Sequence, residues 1–93
     1  MDAAKYQQVV WDYNLPQSEF EAILSGQRVE GSLDQDWAIA RVLENLNYYE
    51  AMSIVPYDLL KERWESVRRK LFKDSIKRGY EFVLQRYSVP VAG

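Results

Sequence analysis

The sequence predicts an all-α protein, built as a compact irregular or orthogonal bundle of five to six short helices. Apolar side chains recur at intervals of three and four residues, and no alternating strand pattern of useful length occurs. Capping residues, Gly and Pro divide the chain into short segments, and short connections favour an irregular bundle over long antiparallel helices. The 93 residues are 47% hydrophobic, which is enough to fill one core. We therefore expect a single helical domain over residues 1–93.

The first third of the chain contains one ambiguous segment and one clear helix. Residues 5–13 combine aromatic and Val side chains, which favour strands, with Gln and Lys, which favour helices. We expect a short helix or an extended arm over residues 1–13, and propensity does not choose between them. Pro16 then suits the first turn of a helix, and Gly26 suits its end.

The central helix begins at a cap provided by Ser32 or Asp34 and extends to about Leu46. Its apolar side chains cover a wide arc, so we expect it to contact neighbours on several sides. Asn47, followed three residues later by Glu50, has the spacing of a capping box and predicts a further short helix.

Pro56 begins the last part of the chain, in which the sequence permits either one long helix or two. A break between Arg68 and Lys73 would give two helices, although neither Gly nor Pro marks it. Gly79 lies on the apolar stripe of the last segment, which predicts close approach of a second helix. We expect residues 88–93 to form a frayed tail. The apolar stripe consists of Phe72, Ile76, Gly79, Tyr80, Val83 and Tyr87.

The composition removes most kinds of catalytic site. The chain contains no Cys and no His, so Ser-His triads, Cys nucleophiles and thiolate or imidazole metal sites cannot form within it. No Gly-rich phosphate loop is present. Asp34 and Asp36 lack the calcium-loop pattern, and we interpret both as helix-capping residues. We therefore expect no catalytic residues, no cofactor and no metal, and a chain that is not an enzyme.

The sequence also lacks the features of a secreted or membrane protein. Its first residues contain no basic region followed by an apolar stretch. No apolar run approaches the roughly 20 residues that a membrane-spanning helix needs. The absence of Cys fits a reducing compartment, so we expect a cytoplasmic protein.

The charge is distributed unevenly along the chain. Residues 1–56 have a net charge of −6, and residues 57–93 have a net charge of +4. An acidic half beside a basic half predicts a partner for one face, or head-to-tail association of identical chains. Ordinary solvated surface is the alternative, because pairs of opposite charge occur four residues apart in the basic half. The basic residues that we predict to contact a partner are Arg68, Arg69, Lys73, Lys77 and Arg78.

The aromatic residues suggest a second surface for a partner. They make up 14% of the chain, and most of them must fill the core of a protein this small. Tyr and Trp are also frequent anchors of protein interfaces. Trp11 and Tyr13 precede the first clear helix, so we predict that they contact a partner, with packing onto the domain as the alternative.

Three consecutive segments, residues 33–46, 48–54 and 57–67, have the lengths and tight connections of a helix-turn-helix motif. The third segment would be the recognition helix of a DNA-binding transcriptional regulator. Its acidic residues disfavour contact with phosphate, as does the net charge of −2 for the whole chain. Those acidic residues are Asp58, Glu62 and Glu65.

Motifs spread over residues 9–87 give a further indication of function. They are VWDYN at 10–14, the segment from Phe20 to Gly26, DWAIARVLE at 36–44, RW at 63–64 and RGYEFVL at 78–84. Together they resemble small bacterial helical proteins encoded beside abortive-infection-type nucleotidyltransferase toxins. The resemblance implies an antitoxin-like protein that neutralises its partner toxin by direct binding. Related proteins carry a more basic run before the Gly of the last helix. Asp74, Ser75 and Ile76 interrupt that run here, which weakens any inference of nucleic-acid binding.

Overall fold

The computed structural model describes residues 1–88, with side chains through Arg86, and contains six α-helices in that range. This confirms the predicted all-α class. Within residues 1–88, the only β-pairing is an isolated bridge between Glu30 and Leu33. Ser88, which we expected in the tail, is the last residue of the final helix, and residues 89–93 lie outside the described part. The helices are α1 (Ala3–Val9), α2 (Gln17–Leu24), α3 (Gln35–Asn45), α4 (Tyr48–Ile54), α5 (Tyr57–Arg68) and α6 (Asp74–Ser88).

Local capping signals set the starts of α3 and α4. Asp34, and not Ser32, caps α3, because its carboxylate accepts a hydrogen bond of 2.9 Å from the N–H of Trp37. Asn47 caps α4 and forms the predicted capping box with Glu50. In both cases a side-chain oxygen satisfies an N–H group that has no partner within the helix.

The end of α2 depends on Gly26. This residue has φ +82°, a conformation that side chains with a Cβ adopt at a cost. The N–H of Gln27 donates to the carbonyl of Ala22 at 2.9 Å, and the N–H of Gly26 donates to the carbonyl of Ile23 at 3.0 Å. These two bonds form a Schellman motif, which confirms the predicted helix end. Pro16 lies at the N-cap of α2, one position before the first turn.

Helix α3 is the centre of the core, as predicted. Helices α1, α2, α4 and α5 all contact it. The first segment of the chain is therefore a short packed helix, with Tyr6 and Val9 of α1 buried, and not an extended arm. The buried apolar side chains of α3 are Ala38, Ile39, Ala40, Val42 and Leu43.

The last part of the chain forms two helices that are separated at residues 69–73. Leu71 is buried in the core and anchors this connection. The carboxylate of Glu44, on α3, accepts hydrogen bonds from the N–H groups of Phe72 at 2.7 Å and Lys73 at 2.9 Å. Those N–H groups would otherwise bond within a continuous helix, so this contact from α3 explains a break that no Gly or Pro marks.

The apolar stripe predicted for α6 was partly wrong. Phe72 lies before the helix and is 87% exposed. Gly79 is also exposed, and a Cβ placed on it would meet no described atom within 4 Å, so no second helix within residues 1–88 approaches it. The face of α6 that packs inward carries Ile76, Tyr80 and Leu84. These three residues are spaced four apart, and Gly79 points about 100° away from Tyr80 around the helix.

Tyr80 packs α6 against α4 and α5. Its ring centroid lies 5.9 Å from that of Tyr48 and 6.5 Å from that of Trp64. The Tyr80 hydroxyl is buried and has no hydrogen-bond partner among the described residues. Burial, with a smaller contribution from nearby Tyr48, raises the pKa of this hydroxyl to about 12.

Asp36 does not cap a helix, contrary to the prediction. It is 6% exposed, and its two carboxylate oxygens accept hydrogen bonds from the guanidinium of Arg63, the second at 2.9 Å. Asp34 already provides the cap of α3, so Asp36 instead joins α3 to α5. A buried carboxylate requires such a partner because desolvation of an unpaired charge is costly.

Candidate protein-binding surface

The turn that follows α1 is held against the core by Arg41 of α3. The Arg41 Nε donates to the carbonyl of Val9 at 2.9 Å. Its Nη2 bonds to the carboxylate of Asp12. The guanidinium also lies 5.3 Å from the centroid of the Tyr13 ring, within range of a cation–π interaction. One arginine therefore holds the backbone at Val9 and the side chains of Asp12 and Tyr13.

The two aromatic residues that we predicted to contact a partner have different environments. Tyr13 is 40% exposed and packs edge-on against Trp37 with 5.1 Å between ring centroids. Trp11 is 70% exposed. Tyr13 is therefore partly packed onto the domain, whereas the Trp11 ring remains exposed at the surface.

Tyr13 forms one wall of a surface groove of about 270 Å³. Trp37 and Ala40 of α3 also line it. Phe72 lines it from the connection between α5 and α6. We call this feature the aromatic groove. Its other lining residues are Ser32, Leu33, Arg41, Glu44 and Lys70.

Next to the aromatic groove, residues 69–78 carry five cations and one acidic residue. Lys70 lies 3.9 Å from the carboxylate of Asp34. The other four cations form no ion pair within residues 1–88. We call these five residues the basic turn, and they give this part of the surface a concentrated positive charge. They are Arg69, Lys70, Lys73, Lys77 and Arg78.

Arg68 differs from the other basic residues that we predicted to contact a partner. It lies 3.1 Å from the carboxylate of Glu81 and 3.6 Å from that of Glu65, so it joins α5 to α6. Ordinary solvated surface was the alternative for this face, because residues of opposite charge lie four apart in the sequence. Those ion pairs do not form among the described residues. Arg68 instead pairs with Glu65 and Glu81, the acidic members of two of these pairs, and nothing in the structure explains the absence of the third pair, Asp74 with Arg78.

Several important residues of this surface were not found from the sequence. Glu44 supports the basic turn through two backbone N–H groups, and Arg41 supports the wall formed by Tyr13. Each of them contacts residues at least 28 positions away in the sequence, and helical periodicity does not reveal contacts over that separation. Phe72 was assigned to the core stripe, although its position inside a run of cations was a signal of exposure.

A larger groove of about 650 Å³ lies elsewhere, lined by apolar residues such as Leu24, Ile54 and Leu59 and by polar residues such as Lys5 and Glu21. The amide of Gln35 in its wall donates to the carbonyl of Leu24 at 3.0 Å, so this group is already used within the fold. Glu21 there accepts a hydrogen bond from the N-terminal ammonium, and the hydroxyls of Ser25 and Ser53 donate to backbone carbonyls, so most of its polar groups are used in the same way. Aromatic and cationic side chains converge instead at the smaller groove. We therefore place the candidate site at the aromatic groove and the basic turn.

Residues 1–88 contain no cluster of three acidic side chains that could hold a metal ion. No helix in this part of the chain is both long and apolar enough to cross a membrane. Comparison of the chain with protein-family models, with curated proteins and with solved structures gave no match.

Proposed function

We propose that this chain is a non-enzymatic, antitoxin-like module that neutralises a partner toxin by binding it directly. The observation that carries the proposal is the aromatic groove beside the basic turn. Exposed aromatic side chains and arginines are the residues that contribute most to binding at protein interfaces. Unpaired cations next to them accelerate encounter with an acidic surface.

The exposure of a large aromatic ring supports this choice of surface. Phe72, which lines the aromatic groove, is 87% exposed. Leaving so much apolar area in water forgoes roughly 25 cal/mol per Å² of stabilisation, which a partner would recover by covering it. Phe72 is also flanked by Lys70 and Lys73, so an apolar contact and charged contacts are available at one place.

The non-enzymatic part of the proposal is supported by how the carboxylates near the site are used. Asp34 caps α3, and Asp12 pairs with Arg41. Asp36 is paired with Arg63, and Glu44 accepts two backbone N–H groups. General acid–base catalysis needs a group free to reach substrate, and these four carboxylates are engaged in holding the fold. Any turnover of substrate by the isolated chain would contradict this part.

The resemblance described above specifies the partner to test, which is a nucleotidyltransferase encoded beside this chain. Binding is measured by isothermal titration with the purified partner. We expect the double variant Lys73→Glu/Lys77→Glu to weaken binding by about 5- to 30-fold, since each reversed surface charge costs roughly 0.5–1 kcal/mol. The matched control is Lys5→Glu/Lys61→Glu, which has the same net charge but changes no residue of the basic turn.

Equal effects of the two double variants would show that only net charge matters and would remove the basic turn from the proposal. No binding of the unaltered chain to this partner would contradict the antitoxin proposal itself. Restored growth of cells that express the toxin, lost again with the Lys73→Glu/Lys77→Glu variant, would connect binding to neutralisation.

A DNA-binding regulator is the second candidate, because α3, α4 and α5 follow the bounds expected of a helix-turn-helix. The exposed charged residues of α5 include Asp58, Glu62 and Glu65 against Lys61, and this excess of acid would repel phosphate. The test is binding to the promoter of its own gene at low salt, with a steep loss of affinity as salt rises. No binding at low salt would reject this candidate.

A further inference from the structure

We infer that the surface recognises a short extended acidic segment of its partner, with one bulky apolar side chain in the aromatic groove and carboxylates on the basic turn. This inference rests on the proposed function and specifies the chemistry of the partner. It follows from the size of the groove, from the separation of apolar and charged contacts, and from the spacing of the cations.

The size of the groove limits what can enter it. Its volume of about 270 Å³ is slightly below the 300–1,000 Å³ typical of sites for drug-sized ligands. One large side chain fills such a space, whereas a docking helix needs a longer groove for anchors at several turns. Tyr13, Trp37 and Phe72 provide aromatic walls on three elements of the fold, which suits an apolar or aromatic anchor.

Unpaired positive charge is available at the rim of the groove and not inside it. Two cations line the groove, and both have acidic partners: Arg41 pairs with Asp12 and is covered by the ring of Tyr13, and Lys70 lies 3.9 Å from the carboxylate of Asp34. The unpaired cations begin at the edge, where Lys73 directly follows Phe72. An anchor inside the groove would therefore be apolar, and acidic residues would follow it along the partner chain.

The spacing of Lys73 and Lys77 fits an extended acidic segment, the conformation that the small groove favours over a docking helix. The carbonyl of Lys73 accepts the N–H of Lys77 at 3.1 Å, so the two residues stand one helical turn apart, about 6 Å along the axis. Alternate residues of an extended chain are about 6.6 Å apart and point to the same side. Two carboxylates at alternate positions would therefore match the two ammonium groups.

The first experiment measures fluorescence anisotropy with a labelled synthetic peptide that carries one Phe, followed by two Asp at alternate positions, in a Gly and Ser background. We expect saturable binding that weakens as salt rises. Changing the Phe of the peptide to Ala, or both Asp to Asn, should each weaken binding by about 10-fold or more, as for loss of an interface anchor.

Matched variants of the chain locate the two contacts. Phe72→Ala should weaken peptide binding by about 10-fold, whereas Phe82→Ala removes another exposed ring, on α6 and outside the groove, and should have no effect. The Lys73→Glu/Lys77→Glu variant should lose the Asp peptide and bind a peptide with Lys in place of Asp. Circular dichroism confirms that each variant is folded, and removal of exposed side chains should preserve the helices.

The outcomes separate this inference from the proposed function. If the full-length nucleotidyltransferase binds and the peptide does not, the inference is overturned and the proposed function stands. If neither binds, both fail. If a single-stranded oligonucleotide binds more tightly than the peptide, the basic turn is a nucleic-acid-binding surface. If the chain forms a dimer that the peptide disrupts, a second copy is the occupant. Either of the last two results overturns the inference.

Discussion

Replacing Gly79 with Ala should stabilise the protein, contrary to what its place in the sequence suggests. Gly79 lies inside α6, and a Cβ added to it meets no atom within 4 Å in the part of the chain that the structure describes. No packing term therefore opposes the substitution, and only helix propensity changes. Ala is favoured over Gly in a helix interior by about 0.8–1.0 kcal/mol. We expect the free energy of unfolding to rise by about 1 kcal/mol, and Tm by roughly 4–8 °C for a chain of this size.

The measurement is urea denaturation followed by far-ultraviolet circular dichroism, with a thermal melt of the same variants. The matched control is Gly26→Ala, where φ is +82° and the new Cβ would lie 3.2 Å from the Gln35 side chain. This control should lose about 1–2 kcal/mol, the cost of a left-handed conformation for a residue with a Cβ. An unchanged or lower stability of Gly79→Ala would refute the reasoning, because it would mean that a part of the chain packs on Gly79.

Three further predictions concern individual contacts. Tyr80→Phe should stabilise the fold by about 1 kcal/mol in urea denaturation, because it removes a buried hydroxyl without a partner. The pKa of Tyr80 in the folded state is raised to about 12, so the unfolded state loses this proton at a lower pH than the folded state does. The unaltered chain should therefore lose stability from pH 10 to 12 relative to Tyr80→Phe, and parallel pH curves for the two proteins would contradict the buried environment. Arg63→Met leaves the Asp36 carboxylate buried and unpaired. It should destabilise the fold by about 1–3 kcal/mol, which is less than the loss expected for a fully buried pair because Arg63 reaches water. If the variant is as stable as the unaltered chain, the role of this pair is contradicted. Arg41→Ala should release the turn after α1, seen as faster amide hydrogen exchange at Tyr13 with little change in α6, and unchanged exchange at Tyr13 would show that the turn holds without Arg41.

The parts of the fold that the sequence predicted depend on contacts between near neighbours in the chain. Asp34 and Asn47 each bond to an N–H three residues away, and Gly26 ends a helix through bonds to residues in the preceding turn. Such signals lie within one window of sequence. The wide apolar arc of α3 likewise predicted its central position, because every face of that arc had to be covered.

The break between α5 and α6 could not be predicted in the same way. It depends on Glu44, which is 28 residues from Phe72, and a carboxylate on α3 shows no periodic relation to the turn that it supports. Asp36 was misread for a similar reason, because its partner Arg63 lies on another helix. The position of Asp36 at the start of α3 therefore indicated only a helix-capping residue.

For the candidate site, the sequence indicated the residue types and not their arrangement. Tyr13 and the cations around Lys73 were predicted as two separate surfaces. The fold brings them together because Arg41 and Glu44, three residues apart on α3, hold one segment each. Residues three apart lie on the same side of a helix, so a single face of α3 positions both the aromatic wall and the basic turn.

The three tryptophans differ widely in contact with water, from Trp11 at 70% exposed through the half-buried Trp37 to Trp64 at 9%. Each therefore reports on a different region through its own emission. Acrylamide should quench Trp11 first, occupation of the groove should shift the emission of Trp37, and Trp64 should shift to longer wavelength only on unfolding. Single Trp→Phe variants would separate the three signals, so binding and unfolding can be followed optically without any attached dye.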